Sequence, residues 1–374
     1  MVPPDVSIRI VPYTSGEAAG ARAFNERLTK AGSVSAFLLP ESPPEAPAPD
    51  RAIRAVYYVA LDDKAVRGGF VLGDYPAWLN SAPIAATVCI APLSEGIIDP
   101  KYSMLSMQFV RFLRAHNPYG FASGMGSPNN PYPRLLRAAG WTVVPVPFFF
   151  LVCHPQRFLR QIAPLRSSQA RRLAGGVAAG TGIGAAGIRA AHARGLLARK
   201  HRAELSIETV AEWGAWADGF WEGARAQFSF AIARDRRTLE DLYPASETRL
   251  IRVLVRRGAR AVAWAAALDT QMRGDRYFGD LRVATILDCM GDPKSLTGAV
   301  GCVSAALREA GADLIISNQS HRLWQNAFRR NGFLAGPVNY CLGISKPIAD
   351  DVQAHGGLGA IYFTRGDGDG RMHL

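Results

Sequence analysis

The sequence predicts an α+β protein made of two similar halves, each a mixed and mostly antiparallel sheet flanked by helices. Two observations carry this reading. Four phrases recur along the chain: Asp99-Pro100-Lys101 with Asp292-Pro293-Lys294, Leu113-Arg114 with Leu307-Arg308, Gly140-Trp141 with Gly332-Phe333, and Pro145-Val146 with Pro337-Val338. Their offsets are 193, 194, 192 and 192 residues, a nearly constant register that points to an internal duplication of domain size. Around each set the hydrophobic period changes in the same order, antiparallel strands first and then β-α-β-α-β.

The elements follow in chain order. Ser7 to Tyr13 alternates as a strand, and Ala18 to Ala31 has helical spacing. Ala55 to Leu61 and Val66 to Leu72 read as a hairpin across Asp62-Asp63-Lys64. Ile84 to Ile90 is a longer apolar strand, and Tyr102 to His116 an amphipathic helix. A short strand at Tyr119 to Ser123 precedes a helix from Tyr132 to Ala139, closed by Gly140 as a C′ glycine. Val143 to Cys153 reads as one final strand. In the second half Glu208 to Gly223 reads as helical, with a stripe of Trp213, Trp216 and Trp221 suited to the core. A hairpin at Thr248 to Arg256 and Ala259 to Asp269 turns at Arg257-Gly258. A long strand within Arg276 to Met290 follows, then a helix from Leu296 to Ala310 and a strand from Asp313 to Ser317. A helix from Ser320 to Arg330 and a strand from Val338 to Ile344 complete the half. The expected division is residues 1–155, a linker over 156–205, and residues 206–374.

Composition narrows the class. The chain has 374 residues, 48% hydrophobic and 20% charged, which suits a globular protein with a large core. No apolar run reaches the roughly 20 residues of a membrane-spanning helix. The opening MVPPDVSIRI has neither a basic n-region nor an apolar h-region, so no secretory signal is expected. None of Cys89, Cys153, Cys289, Cys302 and Cys341 forms a C-x-x-C pair. Neither a metal site nor a disulfide framework is expected, and the cytoplasm is the expected location.

The net charge of +12 is concentrated in one segment. Residues 151–203 hold no acidic side chain and ten basic ones, at Arg157, Arg160, Arg166, Arg171, Arg172, Arg189, Arg194, Arg199, Lys200 and Arg202. Ala, Gly and Arg dominate Ser167 to Arg202, so it reads as a mobile or loosely helical basic linker. Weak contact with polyanions or an anionic membrane is expected there, steeply dependent on salt. Aromatic residues do not interleave with the charges, so no specific nucleic-acid partner is expected. Gly182-Ile-Gly184-Ala-Ala-Gly187 matches G-x-G-x-x-G, but no β-rich run precedes it, and it reads as linker.

The closing phrases Leu135-Leu136-Arg137-Ala138-Ala139-Gly140-Trp141 and Ala327-Phe328-Arg329-Arg330-Asn331-Gly332-Phe333 are similar to the "helix then Gly-aromatic" signature of the GCN5-related N-acetyltransferases (GNAT). With the element order, the chain resembles a tandem GNAT-fold protein, in the manner of FemAB-like and mycothiol-synthase-like enzymes. The resemblance implies an acyl-CoA-dependent N-acyltransferase. Acetyl-CoA or another acyl-CoA would be its co-substrate, and a small-molecule amine its acceptor, such as a cell-wall or polysaccharide precursor. Two features depart from the family. Its Gln/Arg-x-x-Gly-x-Gly/Ala loop is missing at both Pro92–Ser103 and Asp288–Gly298. Its acidic Tyr, four residues before the Gly-aromatic pair, is Leu136 in one half and Phe328 in the other. These departures support a competing reading, a degenerate tandem protein that binds a nucleotide or another anionic ligand without chemistry.

Acyl transfer to an amine needs a base. Asp288 closes the long strand of the second half, Glu95 sits near the analogous point of the first, and His321 lies where the second half's fifth strand enters a helix. The alternatives for these groups are a solvated carboxylate or a helix cap. The turn after Asp288 could hold phosphate, because Gly291 admits a backbone approach, Lys294 adds charge and Ser295 opens a helix with free N–H groups. Asp292 opposes this, and the same residues also read as an ordinary capped helix start. The resemblance places an acyl-CoA along Leu287, Cys289, Met290 and Gly291, between that strand and the one ending at Ser317, with Asn318 orienting the acceptor or a water. The first half is then structural or binds the acceptor. Asp367 and Asp369 lie in a glycine turn that lacks the remaining ligands of a calcium loop; it reads as a turn, or as a contact for a cationic substrate.

Overall fold

The computed structural model describes residues 7–32, 38–45, 47–163, 183–193 and 202–368. Its strands are β1 (Ile8–Pro12), β2 (Arg54–Asp62), β3 (Ala65–Leu79), β4 (Ala82–Ser94), β5 (Gly120–Met125), β6 (Thr142–Pro145), β7 (Phe148–Val152) and β8 (Ser206–Thr209). They continue as β9 (Phe230–Ile232), β10 (Leu250–Arg257), β11 (Arg260–Gln271), β12 (Arg282–Gly291), β13 (Leu314–Asn318), β14 (Leu334–Ala335), β15 (Tyr340–Ile344) and β16 (Ile361–Tyr362). One sheet runs β1-β2-β3-β4-β5-β15-β6, with β9 and β16 attached through β3. The other runs β8-β10-β11-β12-β13-β7-β14. Position by position the two orders are the same, which is the architecture expected of an internal duplication.

One feature was not expected. The sixth strand of each sheet comes from the other half of the chain. β7 pairs antiparallel with β13, and β15 pairs antiparallel with β5. The run Val143–Cys153 is therefore two strands in different sheets, not one. Its break lies at Pro145-Val146-Pro147, where proline cannot donate to a ladder and the chain crosses over. The matching break at Pro337-Val338-Asn339 carries the chain back. The first crossing is tied to both sheets: the Val146 N–H donates to Tyr340 O, at the start of β15, at 2.9 Å, and Pro147 O accepts from the Gln319 N–H, just past β13, at 3.1 Å. The boundaries expected at residues 155 and 206 thus divide the chain but do not divide the sheets.

The other elements sit close to expectation. Helices Leu105–His116 and Leu296–Glu309 follow the fourth strand of each sheet, and Pro131–Ala138 and Arg322–Arg330 follow the fifth. Gly140 and Gly332 close the latter pair at the same positive φ of 82°, a left-handed conformation that suits glycine. The segment Glu208–Gly223 is not helical throughout. Ser206–Thr209 pairs with β10, and the helix begins at Trp216. Trp213 and Trp221 are buried core residues, as expected, and Trp216 is half-buried. Within the basic linker, residues 183–191 form a helix docked by His192, whose Nδ1 lies 2.6 Å from Gly332 O and whose Nε2 accepts from the Val152 N–H at 3.3 Å. This part is not the loose connector expected. Gly184 and Gly187 lie in that helix and not in a strand-to-helix turn, which ends the dinucleotide reading. Gly182, Arg166, Arg171, Arg172, Arg194, Arg199 and Lys200 lie outside the described residues.

Candidate functional site

Each sheet contains one place where two parallel strands part. β4 and β5 pair only at Thr87/Gly120 and Val88/Phe121. Beyond that, β4 runs on along β3 to Ser94 and β5 runs on along β15. β12 and β13 pair from Val283/Leu314 to Ile286/Ser317 and then separate. A bulge marks the longer strand in both cases. In the second sheet Ala266 faces Asp288 while Ala267 faces Ile286, leaving Leu287 extra. In the first, Gly69 faces Leu93 while Val71 faces Ile90, leaving Ala91 and Pro92 against Phe70. Bulges bend a strand and re-aim its side chains.

The second opening is not an open cleft, contrary to expectation. Residues 361–367 fill it. Gln319 bridges to Thr364, Ser320 Oγ donates to Ile361 O at 2.7 Å, and the Phe363 N–H donates to Ser320 Oγ at 2.7 Å. On the other side the Tyr362 hydroxyl donates to Asp288 Oδ1 at 2.5 Å and also meets the Cys289 carbonyl. The bulge aims Asp288 into this packing, where it is fully buried. Its Oδ2 accepts from Arg234 Nε at 2.6 Å and from the Tyr243 hydroxyl at 2.8 Å, and its Oδ1 from the Cys289 N–H at 2.8 Å. The second arm of Arg234 reaches Asp367 Oδ1 at 2.5 Å, and its Nη1 donates to Ile232 O at 2.8 Å. Arg234 and both carboxylates have no exposed side-chain surface.

The electrostatics follow from that burial. Desolvation works against the Arg234 charge, yet Asp288 and Asp367 overcome it and hold the guanidinium well above its ordinary range. Burial, reinforced by Asp288, drives the Tyr243 and Tyr362 hydroxyls well above theirs, so both stay neutral donors. Burial also pushes the Asp367 carboxyl up to about 6, against the pull of Arg234. Asp288 thus plays a structural part, with both oxygens taken by partners, and it has no position from which to meet an amine. The cation expected near Asp367 is the chain's own Arg234; Asp369 lies outside the described residues.

The remaining candidates fall apart in the same way. Glu95 is buried and clasped by two arginines, with Arg27 Nε at 2.6 Å from Oε1 and Arg67 Nη1 at 3.1 Å from Oε2. His321 is buried edge-on against Phe228, and desolvation, helped by Arg322, pulls its imidazole down to about 4. Among the described residues its Nδ1 has no hydrogen-bond partner, and it does not cap its helix through the side chain. Leu287, Cys289 and Met290 are core residues, and burial raises the Cys289 thiol well above its ordinary value. Gly291 is small because β11 is close: a Cβ there would stand 2.5 Å from Ala263 Cβ and 2.6 Å from Val262 O. It borders a groove of about 420 Å³ with Trp216, Phe220 and Arg260, on the β11 side and away from β13. The Lys294 N–H is taken by Asp292 Oδ1 at 3.0 Å, and the Ser295 N–H by Asp292 O at 2.8 Å. The Lys294 side chain is exposed, and the Ser295 Oγ is buried 3.4 Å from Arg257. Asp292 closes the turn before the helix, whose N-cap Ser295 makes no side-chain cap bond, and with the 294 and 295 N–H groups taken the turn fits a pyrophosphate poorly. Asn318 donates to Asn339 Oδ1 at 3.0 Å, and its own Oδ1 is buried with no partner among the described residues.

The first opening is different. Among the described residues, no hydrogen bond spans the gap between β4 beyond Val88 and β5 beyond Phe121. Ser123 and Tyr340 lie on β5 and β15 beside it, and Gly368 packs against both hydroxyls, where a Cβ would collide with each. Tyr340 was missed in the sequence because nothing in Asn339-Tyr340-Cys341 marks it as crossing to the first sheet.

Comparisons with known proteins bear on the fold. No protein-family profile matches the chain, and no curated protein matches it. Solved structures do. A GCN5-related N-acetyltransferase from Anabaena variabilis ATCC 29413 superposes with a TM-score of 0.53 at 9% identity, over 90% of this chain and 72% of that one. A protein of unknown function from Enterococcus faecalis V583, described as a probable N-acyltransferase, gives 0.50 at 9% identity, over 92% and 74%. A tandem GNAT protein from the clavulanic acid biosynthesis pathway aligns over 91% of this chain and 99% of its own, at 13% identity and a TM-score of 0.45. At such identities the likeness concerns architecture alone: the first of these neighbours shares a GNAT-type fold with this chain, and the repeat within the chain is read from its own two sheets of matching strand order.

Proposed function

We propose that the chain is an N-acyltransferase that passes an acyl group from an acyl-CoA to an amine, with the donor held in the first half. The observation that supports this most is the contrast between the two openings. Parallel strands that part leave backbone N–H and C=O groups facing the gap, and an extended amide-bearing arm such as pantetheine satisfies such groups. The second opening is consumed by residues 361–367, whereas the first is bridged by no described hydrogen bond. The acceptor is a small amine, with a cell-wall or polysaccharide precursor as one candidate class. In the reaction the amine nitrogen attacks the thioester carbonyl, the C–S bond breaks, and the proton lost from nitrogen balances the CoA thiolate. Neither Asp288 nor Glu95 is free to take that proton.

That last point supports a second reading, a tandem protein that binds an acyl-CoA or another nucleotide without turning it over. Calorimetric titration with acetyl-CoA and a longer acyl-CoA, followed by thiol release with a panel of amines, separates the two. One site per chain with thiol release supports the enzyme, and one site without release supports the binding protein. No binding refutes both.

A further inference from the structure

Arg234 does more than neutralise Asp288. Residues 361–367 are tied to β13 through Ser320 and Gln319 and to β12 through Tyr362. Arg234 then ties the end of that segment, Asp367, to the bulge residue Asp288. Asp367 is fixed a second time by its own turn, accepting the Thr364 N–H at 2.7 Å on Oδ2. One residue later the chain is on the other sheet, where Gly368 lies against Ser123 of β5 and Tyr340 of β15. A plug alone would not need this chemistry, since apolar packing closes a cleft without the cost of burying ions. A guanidinium held by two carboxylates adds direction, because its planar fork fixes both partners in one geometry.

We infer that Arg234 is a positioning residue for the first-half site: its two-armed grip on Asp288 and Asp367 sets where the C-terminal segment meets Ser123 and Tyr340 beside the first opening. The inference rests on the reading that the first opening takes the donor. The grip spans residues that are 54 and 133 positions apart, so it joins the segment before β10, the β12 bulge and the C-terminal turn into one unit.

Hydrogen exchange read by mass spectrometry on the full chain tests this with Arg234→Lys, Asp367→Asn and Gly368→Ala. Loosening the grip with either of the first two is expected to speed exchange about tenfold in 118–126, 338–345 and 361–368, with 54–72 unchanged. Gly368→Ala pushes the chain off the two hydroxyls without touching the grip, so 118–126 and 338–345 should respond while 286–290 stays protected. Acetyl-CoA affinity should hold, and thiol release should fall. Exchange that rises in 361–367 but stays at wild-type level in 118–126 overturns the inference. Should the Arg234 variant not fold, carboxypeptidase digestion of the wild-type chain decides: trimming that halts by Gly368 supports the grip, and trimming through Tyr362 overturns it. A wild-type chain that binds no acetyl-CoA refutes the donor assignment and leaves the exchange result to judge the grip.

Discussion

In the first sheet β4 leaves β5 after Val88, and in the second β12 leaves β13 after Ile286, each with a bulge on the longer strand. The acids near the two openings are both buried, but their partners are not alike. Glu95 is held by Arg27 and Arg67, whose side chains are 34% and 25% exposed, so water reaches the cations and one arginine remains if the other is removed. Asp288 is held by Arg234 with neither side chain exposed, in a medium where a lost partner cannot be replaced by water. A repeated framework therefore does not imply a repeated use. One opening has been turned into core, and the other is bridged by no hydrogen bond among the described residues.

Removing the buried cation should give the largest effect. Arg234→Met leaves two carboxylates sealed without a counter-charge and should cost about 3–5 kcal/mol in urea unfolding, whereas Arg67→Met should cost less than about 1 kcal/mol. Equal losses would break the contrast. The pH dependence should come next. The Asp367 carboxyl is raised in the folded chain to about 6 from an ordinary 3.8, so its contribution is fully present below the ordinary value. That contribution is lost as pH rises through the folded value, with a slope of at most about 1.4 kcal/mol per pH unit. Thermal midpoints from pH 4 to pH 7 should show this fall in the wild type and not in Asp367→Asn. Tyr362→Phe removes the donor to Asp288 and to the Cys289 carbonyl, a loss of about 1–3 kcal/mol by the same unfolding assay. The smallest change should come from Gly291→Ala, whose methyl group crowds Val262 and Ala263. It should cost about 1–2 kcal/mol and leave acetyl-CoA affinity intact. Loss of affinity in that variant would return the donor to the second half.

Much of the fold was legible in the sequence because it is written locally. The Gly-aromatic phrases, the Asp-Pro-Lys starts and the hairpin turns are signals within a few residues, and the near-constant offset between copies exposes the duplication. The strand exchange was not legible. Phe148–Val152 and Tyr340–Ile344 alternate as strands wherever they pair, and nothing in a β pattern says which sheet a strand joins. The candidate site failed for a related reason. Asp288 and Asp367 were both visible as carboxylates, but their shared partner follows the short apolar run Phe230–Ala233, which carries no motif. Arg234 is followed at once by Asp235-Arg236-Arg237, so nothing local marks it as the partner of two distant carboxylates. Tyr102 and Gly96 beside Glu95 gave no hint of the Arg27 and Arg67 pairing, because those partners lie 68 and 28 residues away.

The exchanged strands also set an order of events during synthesis. Among the described residues β6 has β15 as its ladder partner, and β15 is made 192 residues after β7 begins. At ribosomal rates of about 5–20 residues per second, the first sheet waits on the order of ten to forty seconds with an unsatisfied edge. During that wait the aromatic run Phe148-Phe149-Phe150 has no sheet to enter, since β13 does not yet exist. A nascent chain in this state is a substrate for chaperones and a template for pairing with a neighbour on the same polysome. Neither half can be made alone as a finished piece; co-expressing residues 1–163 with residues 202–374 is the form in which the two could complete each other.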